Sequence, residues 1–424
     1  MILGLSIAVV LLAVLSLALG YVLWSRSRIQ RGVWARLDPQ DTSRDGFARM
    51  VAHLSLGSLV EGNAVTLLEN GAFWDALRES IATAERSVHF ETFLWKAGEL
   101  SASLVDAFCE RARAGVDVRL IVDGEGGKLM SDDERERLRA AGVDLRLYRP
   151  RRFAHLGSYN GRDHRKLAVI DGRLAFIGGH CVTDEWTGDA QDREHFRDMT
   201  IRLEGPVVNH VQAAFSENWT EVSGRLLAGE DHFPGLDHVG EASVHLAYLG
   251  DARRVSAVKT LHVLAIESAR ESLLIMNPYF LPDDGAIEAL GRATARGVRV
   301  RVMTPTLEAT DNPLVVHAMM RELPRLLDAG LEVYGYDRTL LHQKVLSVDG
   351  CWSVVGSVNF DPRSFEINEE IAASVFDRAL ASKIEAAFDA DVAHCVRYGL
   401  EHAEKRSVGS RLADHLAWGV RGQL

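Results

Sequence analysis

The chain has 424 residues, 47% of them hydrophobic and 25% charged, with a formal net charge of −11. That length is too great for one ordinary core and comfortable for two, and the acidity argues against a nucleic-acid partner, for which a strongly basic face is the usual footprint. Cys109, Cys181, Cys351 and Cys395 show neither close pairing nor metal-ligand spacing, so no disulfide framework, metal site or cofactor is expected.

From Ile2 to Leu23 the chain carries no charged residue and is almost wholly aliphatic. At about 1.5 Å per helical residue this stretch is long enough to cross a hydrocarbon core of about 30 Å. Tyr21 and Trp24 follow at its end, then Arg26, Arg28, Arg31 and Arg36. Basic flanks on that side place the rest of the chain at the cytoplasmic face of a plasma or inner membrane. Ala18 and Gly20 would suit a cleaved signal, but the segment lacks a basic n-region and exceeds the usual h-region, so a retained single-pass anchor over 1–24 is the expectation. A juxtamembrane linker, 25–63, comes next.

The first half, 64–222, predicts a helix from Phe73 to Ala84, a strand Ser87 to Phe93, a helix Ser101 to Ala114, a strand Val116 to Val122, a helix Asp132 to Ala141 and a strand Val143 to Leu147. A polar, Gly-rich stretch over 223–240 is the expected join. The second half, 241–400, repeats the order: helix Val255 to Ser268, strand Ser272 to Asn277, helix Asp283 to Ala295, strand Val298 to Met303, helix Pro313 to Asp328 and strand Leu331 to Tyr336, before a tail over 401–424. Just ahead of the motif described next, Arg149 to Asp163 is about ten residues longer than the matching Tyr336 to Leu341 and carries Arg149, Arg151, Arg152, Phe153, Tyr159 and Arg162. Such an insertion suits either a lip facing an anionic membrane or a solvated loop that happens to be basic.

One chemical phrase occurs twice: His164, Lys166, Asp171, Gly178 and Gly179, then His342, Lys344, Asp349, Gly356, Ser357 and Asn359. Residues two apart on a strand share a face, so each His points with its Lys, while each Asp lies at odd spacing beside a turn and is expected to brace it and not to touch substrate. The apolar runs Leu167 to Ile170 and Val345 to Val348 suit buried strands, each turning back at Asp-Gly as a hairpin. Two imidazoles in one pocket can divide phosphoryl transfer: one forms a phosphohistidine, the other protonates the leaving alcohol and deprotonates the incoming one. Lys166, Lys344, Ser357, Asn359 and the backbone near Gly179 would hold the non-bridging oxygens, with no metal required. The other histidines, among them His89, His155, His180, His195 and His317, read as surface or core polar groups, with a reservation for His180.

These paired motifs resemble the phospholipase D superfamily signature, and within it the bacterial cardiolipin synthases. The words that carry the likeness are His164-Arg165-Lys166, Val169-Ile170-Asp171-Gly172, Phe176-Ile177-Gly178-Gly179, Asn277-Pro278-Tyr279-Phe280-Leu281-Pro282 and His342-Gln343-Lys344, within a similarity running from Val65 to Arg397. The resemblance implies an α/β fold of two similar α-β-α sandwich domains about a pseudo-two-fold axis. It also implies His164 as nucleophile, His342 as acid, and Asp198 and Glu370 as acidic residues that orient the imidazoles. Cys181 stands where the family pattern has Asn, with His180 or a backbone amide as candidates to compensate.

The reaction so implied joins two phosphatidylglycerols with release of glycerol. Hydrolysis of phospholipid to phosphatidic acid is the alternative; a nuclease and a non-catalytic lipid-binding protein are further ones. Phospholipid and membrane are the expected partners, Trp95, Tyr279 and Phe280 are candidates to line the lipid entrance, and no oligomeric state is implied.

Overall fold

The computed structural model describes residues 9–17, 19–20, 34–37, 44–150, 161–248 and 256–423. Ahead of the first half, α1 (Arg44–Leu54) packs Ala48 and Val51 into the second half's core; there follow β1 (Val60–Glu69), α2 (Ala72–Ala82), β2 (Ser87–Thr92), α3 (Glu99–Arg113), β3 (Asp117–Asp123), α4 (Asp132–Ala141), β4 (Asp144–Tyr148), β5 (Leu167–Ile170), β6 (Leu174–Gly178), β7 (Met199–Glu204) and α5 (Val208–Ser223) of the first half. The second contains β8 (Ala242–Tyr248), α6 (Ala257–Ser268), β9 (Ser272–Met276), α7 (Asp284–Ala295), β10 (Arg299–Pro305), α8 (Pro313–Asp328), β11 (Glu332–Tyr336), β12 (Lys344–Val348), β13 (Trp352–Gly356), α9 (Pro362–Glu366), β14 (Ile371–Phe376), α10 (Arg378–Asp391), β15 (Cys395–Arg397), α11 (Leu400–Glu404) and α12 (Val408–Val420).

Local signals set these boundaries. The α4 helix opens on a reciprocal cap, in which the Glu134 amide donates to the Ser131 hydroxyl and the Ser131 amide donates to Glu134, and it closes on Gly142 at φ 94°. Asp283 caps α7 by accepting from the Ala286 amide at 2.8 Å. Unbroken burial along β2, β5, β12 and β13 makes them interior strands, covered on both faces, and β2 carries the buried polar residues His89 and Glu91 among its apolar ones.

Strand order runs β15-β11-β10-β9-β12-β13-β14-β8-β1-β7-β6-β5-β2-β3-β4. Read outward from the β8–β1 seam, both halves follow one order: β1-β7-β6-β5-β2-β3-β4 answers β8-β14-β13-β12-β9-β10-β11, with β15 added at one edge. The two expected sandwiches therefore share one sheet, because β1 and β8 pair antiparallel, with a register irregularity between Val60 and Asn63. Beyond the seam the sheet doubles back: β13 lies against β6 and β7, and β14 against β6. An apolar layer fills the fold, with Leu167, Ile177 and Ile201 from the first half meeting Val345, Val355 and Ile371 from the second. Separate cores lie under the outer helices of each half. This doubling brings the two motif hairpins, β5–β6 and β12–β13, into the middle of the molecule.

Of the expected membrane span, residues 9–17 and 19–20 are described, and they are helical. Val9, Leu12, Leu15 and Leu17 stand 60–74% exposed. No helix among the described residues is long and apolar enough to cross a membrane. The remainder of 1–24, with Arg26, Arg28 and Arg31, lies outside the described residues. So do Arg151, Arg152, Phe153, His155 and Tyr159 of the insertion. Of its described basic residues, Arg149 pairs with Glu221 at 2.8 Å, while Arg162 is buried and bonded to the Arg149 carbonyl at 3.2 Å, so these two charges are satisfied within the protein and not spread on an open face.

Candidate active site

Each motif hairpin turns on an Asp-Gly pair with positive φ, 54° and 63° at Asp171 and Gly172, 50° and 59° at Asp349 and Gly350. The Asp171 carboxylate accepts the amides of Glu85, Arg86 and Ser87 at 2.7–2.9 Å. Asp349 accepts those of Arg270, Glu271 and Ser272 at 2.8–3.2 Å. Both carboxylates fix the start of the neighbouring strand, β2 or β9, as well as closing their own turn.

The histidines stand just before β5 and β12, and each is tied to the opposite half. The His164 amide donates to the Glu369 carbonyl at 2.9 Å, and its Nδ1 lies 2.9 and 3.0 Å from the two carboxylate oxygens of Glu370. The His342 amide donates to the Arg197 carbonyl at 2.7 Å, and its Nδ1 lies 2.8 Å from Asp198 Oδ2. Asp198 thus serves the second-half histidine and Glu370 the first-half one. With Nδ1 engaged by a carboxylate, Nε2 is the ring atom left for chemistry.

Burial governs the basicity of His164, His342 and Lys344. It lowers His164 to about 4 against the pull of Glu370, with Lys166 and Lys344 adding to the depression. Burial and then Lys344 lower His342 to about 3, and Lys166 contributes as well. Each imidazole thus feels the other half's lysine, as one common pocket requires. Burial brings Lys344 down to about 7 despite Asp198. Burial would raise Asp198, but His180, His342 and Lys344 outweigh it and hold the carboxyl well below its usual range. Glu370 is likewise lowered, with His164 and Lys166 overcoming burial. Lys166 Nζ donates to the His164 carbonyl at 2.6 Å, and Lys344 Nζ donates to the His342 carbonyl and sits 2.9 Å from its Nε2.

The small residues take roles that spacing alone does not reveal. A Cβ on Gly179 would fall 2.3 Å from Asp198 Oδ1, and on Gly178 2.0 Å from Thr200 Oγ1. Glycine here leaves room for the orienting carboxylate. At the equivalent place Ser357 donates to Glu370 and accepts the Ile371 amide at 3.1 Å, so its hydroxyl enters the site through Glu370 and not, as expected, as an open phosphate donor. Asn359 is buried with Oδ1 lacking a partner. Cys181, opposite it in the repeat, is buried, and burial raises its thiol although Lys166 and Lys344 act on it. His180 does not replace the missing amide: its nitrogens are taken by Thr200 Oγ1 at 2.8 Å and the Asn70 carbonyl at 2.9 Å.

Sequence reasoning missed the aromatic walls. Trp186 donates from Nε1 to Asp198 Oδ2 at 2.7 Å and stands edge-on to His342, with centroids 4.9 Å apart. Phe93 meets the His164 ring at 5.3 Å. Neither belongs to a repeated word, and no spacing signal points to them. Trp95 and Phe280 are fully buried core residues and not lipid-entrance groups, Phe280 packing on Phe360 at 4.9 Å. Tyr279 is part-buried, with its hydroxyl 3.0 Å from both Asp311 oxygens.

A family profile described as cardiolipin synthase, phospholipase D-like domain matches residues 77–219 and 263–392. The chain is 30% identical to the cardiolipin synthase of Oceanobacillus iheyensis over 84% of its own length and 74% of the relative's. It is 32% identical to that of Geobacillus kaustophilus, over 85% and 72%. The crystal structure of a Haemophilus influenzae phosphatidylserine synthase superposes with a TM-score of 0.64 at 13% identity, covering 85% of this chain and 95% of that one. A Porphyromonas gingivalis polyphosphate kinase gives 0.52 at 15% identity, covering 85% and 53%. These two structural likenesses concern the fold.

Proposed function

The chain belongs to the cardiolipin synthase family with phospholipase D-like domains, and from that membership we propose that it is a phosphatidyltransferase joining two phosphatidylglycerols with release of glycerol. The reciprocal pairing of His164 with Glu370 and His342 with Asp198 carries the reading, since it engages both Nδ1 atoms across the two halves while each imidazole also feels the other half's lysine.

In the first step His164 Nε2 attacks phosphorus, the bond to the glycerol headgroup breaks, and the protonated His342 gives its proton to the departing glycerol oxygen. The entering phosphodiester supplies the negative charge that, with Asp198, favours the imidazolium at His342. In the second step neutral His342 takes the proton of a hydroxyl on a second phosphatidylglycerol, that oxygen attacks phosphorus, and the P–N bond to His164 breaks. Lys166 and Lys344 face the non-bridging oxygens through both steps, and we assign the Asn359 side-chain N–H group as a further donor beside them. Lys344, Lys166, Asn359 and the two histidines act on substrate; Asp198, Glu370, Ser357 and Gly179 position them.

The charge-free stretch over 2–23 and the exposed aliphatic helix at 9–17 support an anchor in the plasma or inner membrane with the catalytic halves cytoplasmic. We place the two domains at 64–222 and 241–400. Incubation with phosphatidylglycerol followed by lipid extraction tests the function: cardiolipin with glycerol supports it, phosphatidic acid replaces it with hydrolysis, and neither product refutes both. Protease protection of sealed vesicles tests the topology.

A further inference from the structure

The stretch between the halves covers one end of the first half's sheet, and there His89 of β2, Asp117 of β3 and His232 of the 223–240 stretch bring their ligand atoms within 4.8 Å of one another. We propose that these three residues form a site for a zinc-type divalent cation, separate from the catalytic pocket, that ties the connecting stretch to the sheet.

The state of His89 carries the argument. Its ring is fully buried and stacked on Phe215 at 4.7 Å, and Nδ1 lies 2.8 Å from Gln212 Oε1. An amide oxygen accepts and never donates, so Nδ1 bears the proton and Nε2 holds a bare lone pair. The Gln212 orientation is itself set, because its Nε2 donates to Ser216 Oγ at 3.2 Å. His89 Nε2 is buried without a partner, and so is His232 Nδ1. The two rings lie 5.3 Å apart, yet neither of these buried nitrogens finds a partner in the other or elsewhere in the protein. A cation satisfies both.

Ligand type agrees. Two imidazoles and one carboxylate with a fourth position left for water suit zinc, whose nitrogen and oxygen ligands lie about 2.0–2.2 Å away. The Gln212 contact to the far ring nitrogen of His89 is the usual support for a metal-bound histidine. Arg119 works against the site: its Nε donates to Asp117 Oδ1 at 3.0 Å and its Nη2 pairs with Oδ2 at 2.7 Å, so a cation must compete for the carboxylate. Its guanidinium lies 5.2 Å over the Trp219 ring, so it stays nearby and weakens cation binding.

The test uses the full chain in detergent, stripped with a chelator and titrated with zinc chloride, reading stoichiometry and Tm. The parent binds one zinc per chain with a rise in Tm. His232→Ala, at a part-exposed position outside the regular elements, loses affinity on the order of 100-fold and loses the rise, while its zinc-free Tm and its transferase activity stay at the parent's level. Arg119→Gln binds zinc about tenfold more tightly. Absence of saturable binding in the parent, or equal binding in His232→Ala, overturns the site; neither result touches the transferase reading, which rests on other residues.

Discussion

Gly179 and Asp198 are so close that a methyl group on the first would meet Oδ1 of the second at 2.3 Å. The glycine of the first motif is therefore a condition for orienting the histidine of the second motif. Gly179→Ala is expected to push the carboxylate away from His342 and Trp186, lowering kcat on the order of 100-fold with little change in KM, as loss of acid–base positioning should. Steady-state kinetics beside circular dichroism would check it; a change confined to KM would contradict it.

His164→Ala and His342→Ala should each abolish turnover, and the double variant should be no worse, because the two rings act as one unit. Labelled phosphatidyl-enzyme should be trapped on the peptide bearing His164. Label on His342 instead would reverse the assigned roles.

Glu370→Gln keeps the size of the side chain but removes the charge that holds His164 Nδ1 at 2.9 Å. Loss of the correct tautomer is expected to lower kcat by about 10³- to 10⁴-fold. A second loss of similar size on adding Ser357→Ala would contradict the chain of contact Ser357–Glu370–His164, since residues in one network are not additive.

The free enzyme should show a bell-shaped dependence of kcat/KM on pH. Below about 4 the depressed His164 takes up a proton and stops being a nucleophile, and above about 7 Lys344 loses the charge it offers to phosphate. Lys344 also bears on stability. Its folded value of about 7 lies below the ordinary 10.5, so the unfolded chain binds the extra proton between those values and stability gained from this group rises with pH across that window. Lys344→Met is therefore expected to be inactive yet to raise Tm at pH 6 by on the order of 5 °C. An unchanged or lower Tm in a thermal scan would show the burial cost to be met elsewhere.

Cys181→Asn restores at this position the amide that the second motif keeps in Asn359. One added donor to a charged oxygen is expected to raise kcat/KM by about tenfold. A fall would mean that the pocket is shaped around the smaller thiol.

Much of this was readable in the chain. Predicted α4 and α8 coincide with the observed Asp132–Ala141 and Pro313–Asp328, and the remaining predicted helices and strands shift by about two residues at most. Caps, Gly stops and apolar periods act locally, so local sequence reports them. Repeat spacing likewise singled out His164, Lys166, His342 and Lys344 as candidates, although His164, Lys166 and His342 stand just ahead of β5 and β12 and not on the strands. The exchange of partners was not readable: Glu370 is 206 residues from His164, and Asp198 is 144 from His342.

Sequence by itself determined two similar α/β halves, a repeated His-Lys motif and a family. Only the tertiary structure decided that β1 and β8 join them into one doubled sheet, that each carboxylate crosses to the other half's imidazole, that Ser357 serves Glu370, and that Trp186 walls the site. The physical reason is one of range. Period and capping are properties of a few adjacent residues, whereas a hydrogen bond between strands far apart in the chain exists only once the apolar layer between the halves has closed and drawn them together.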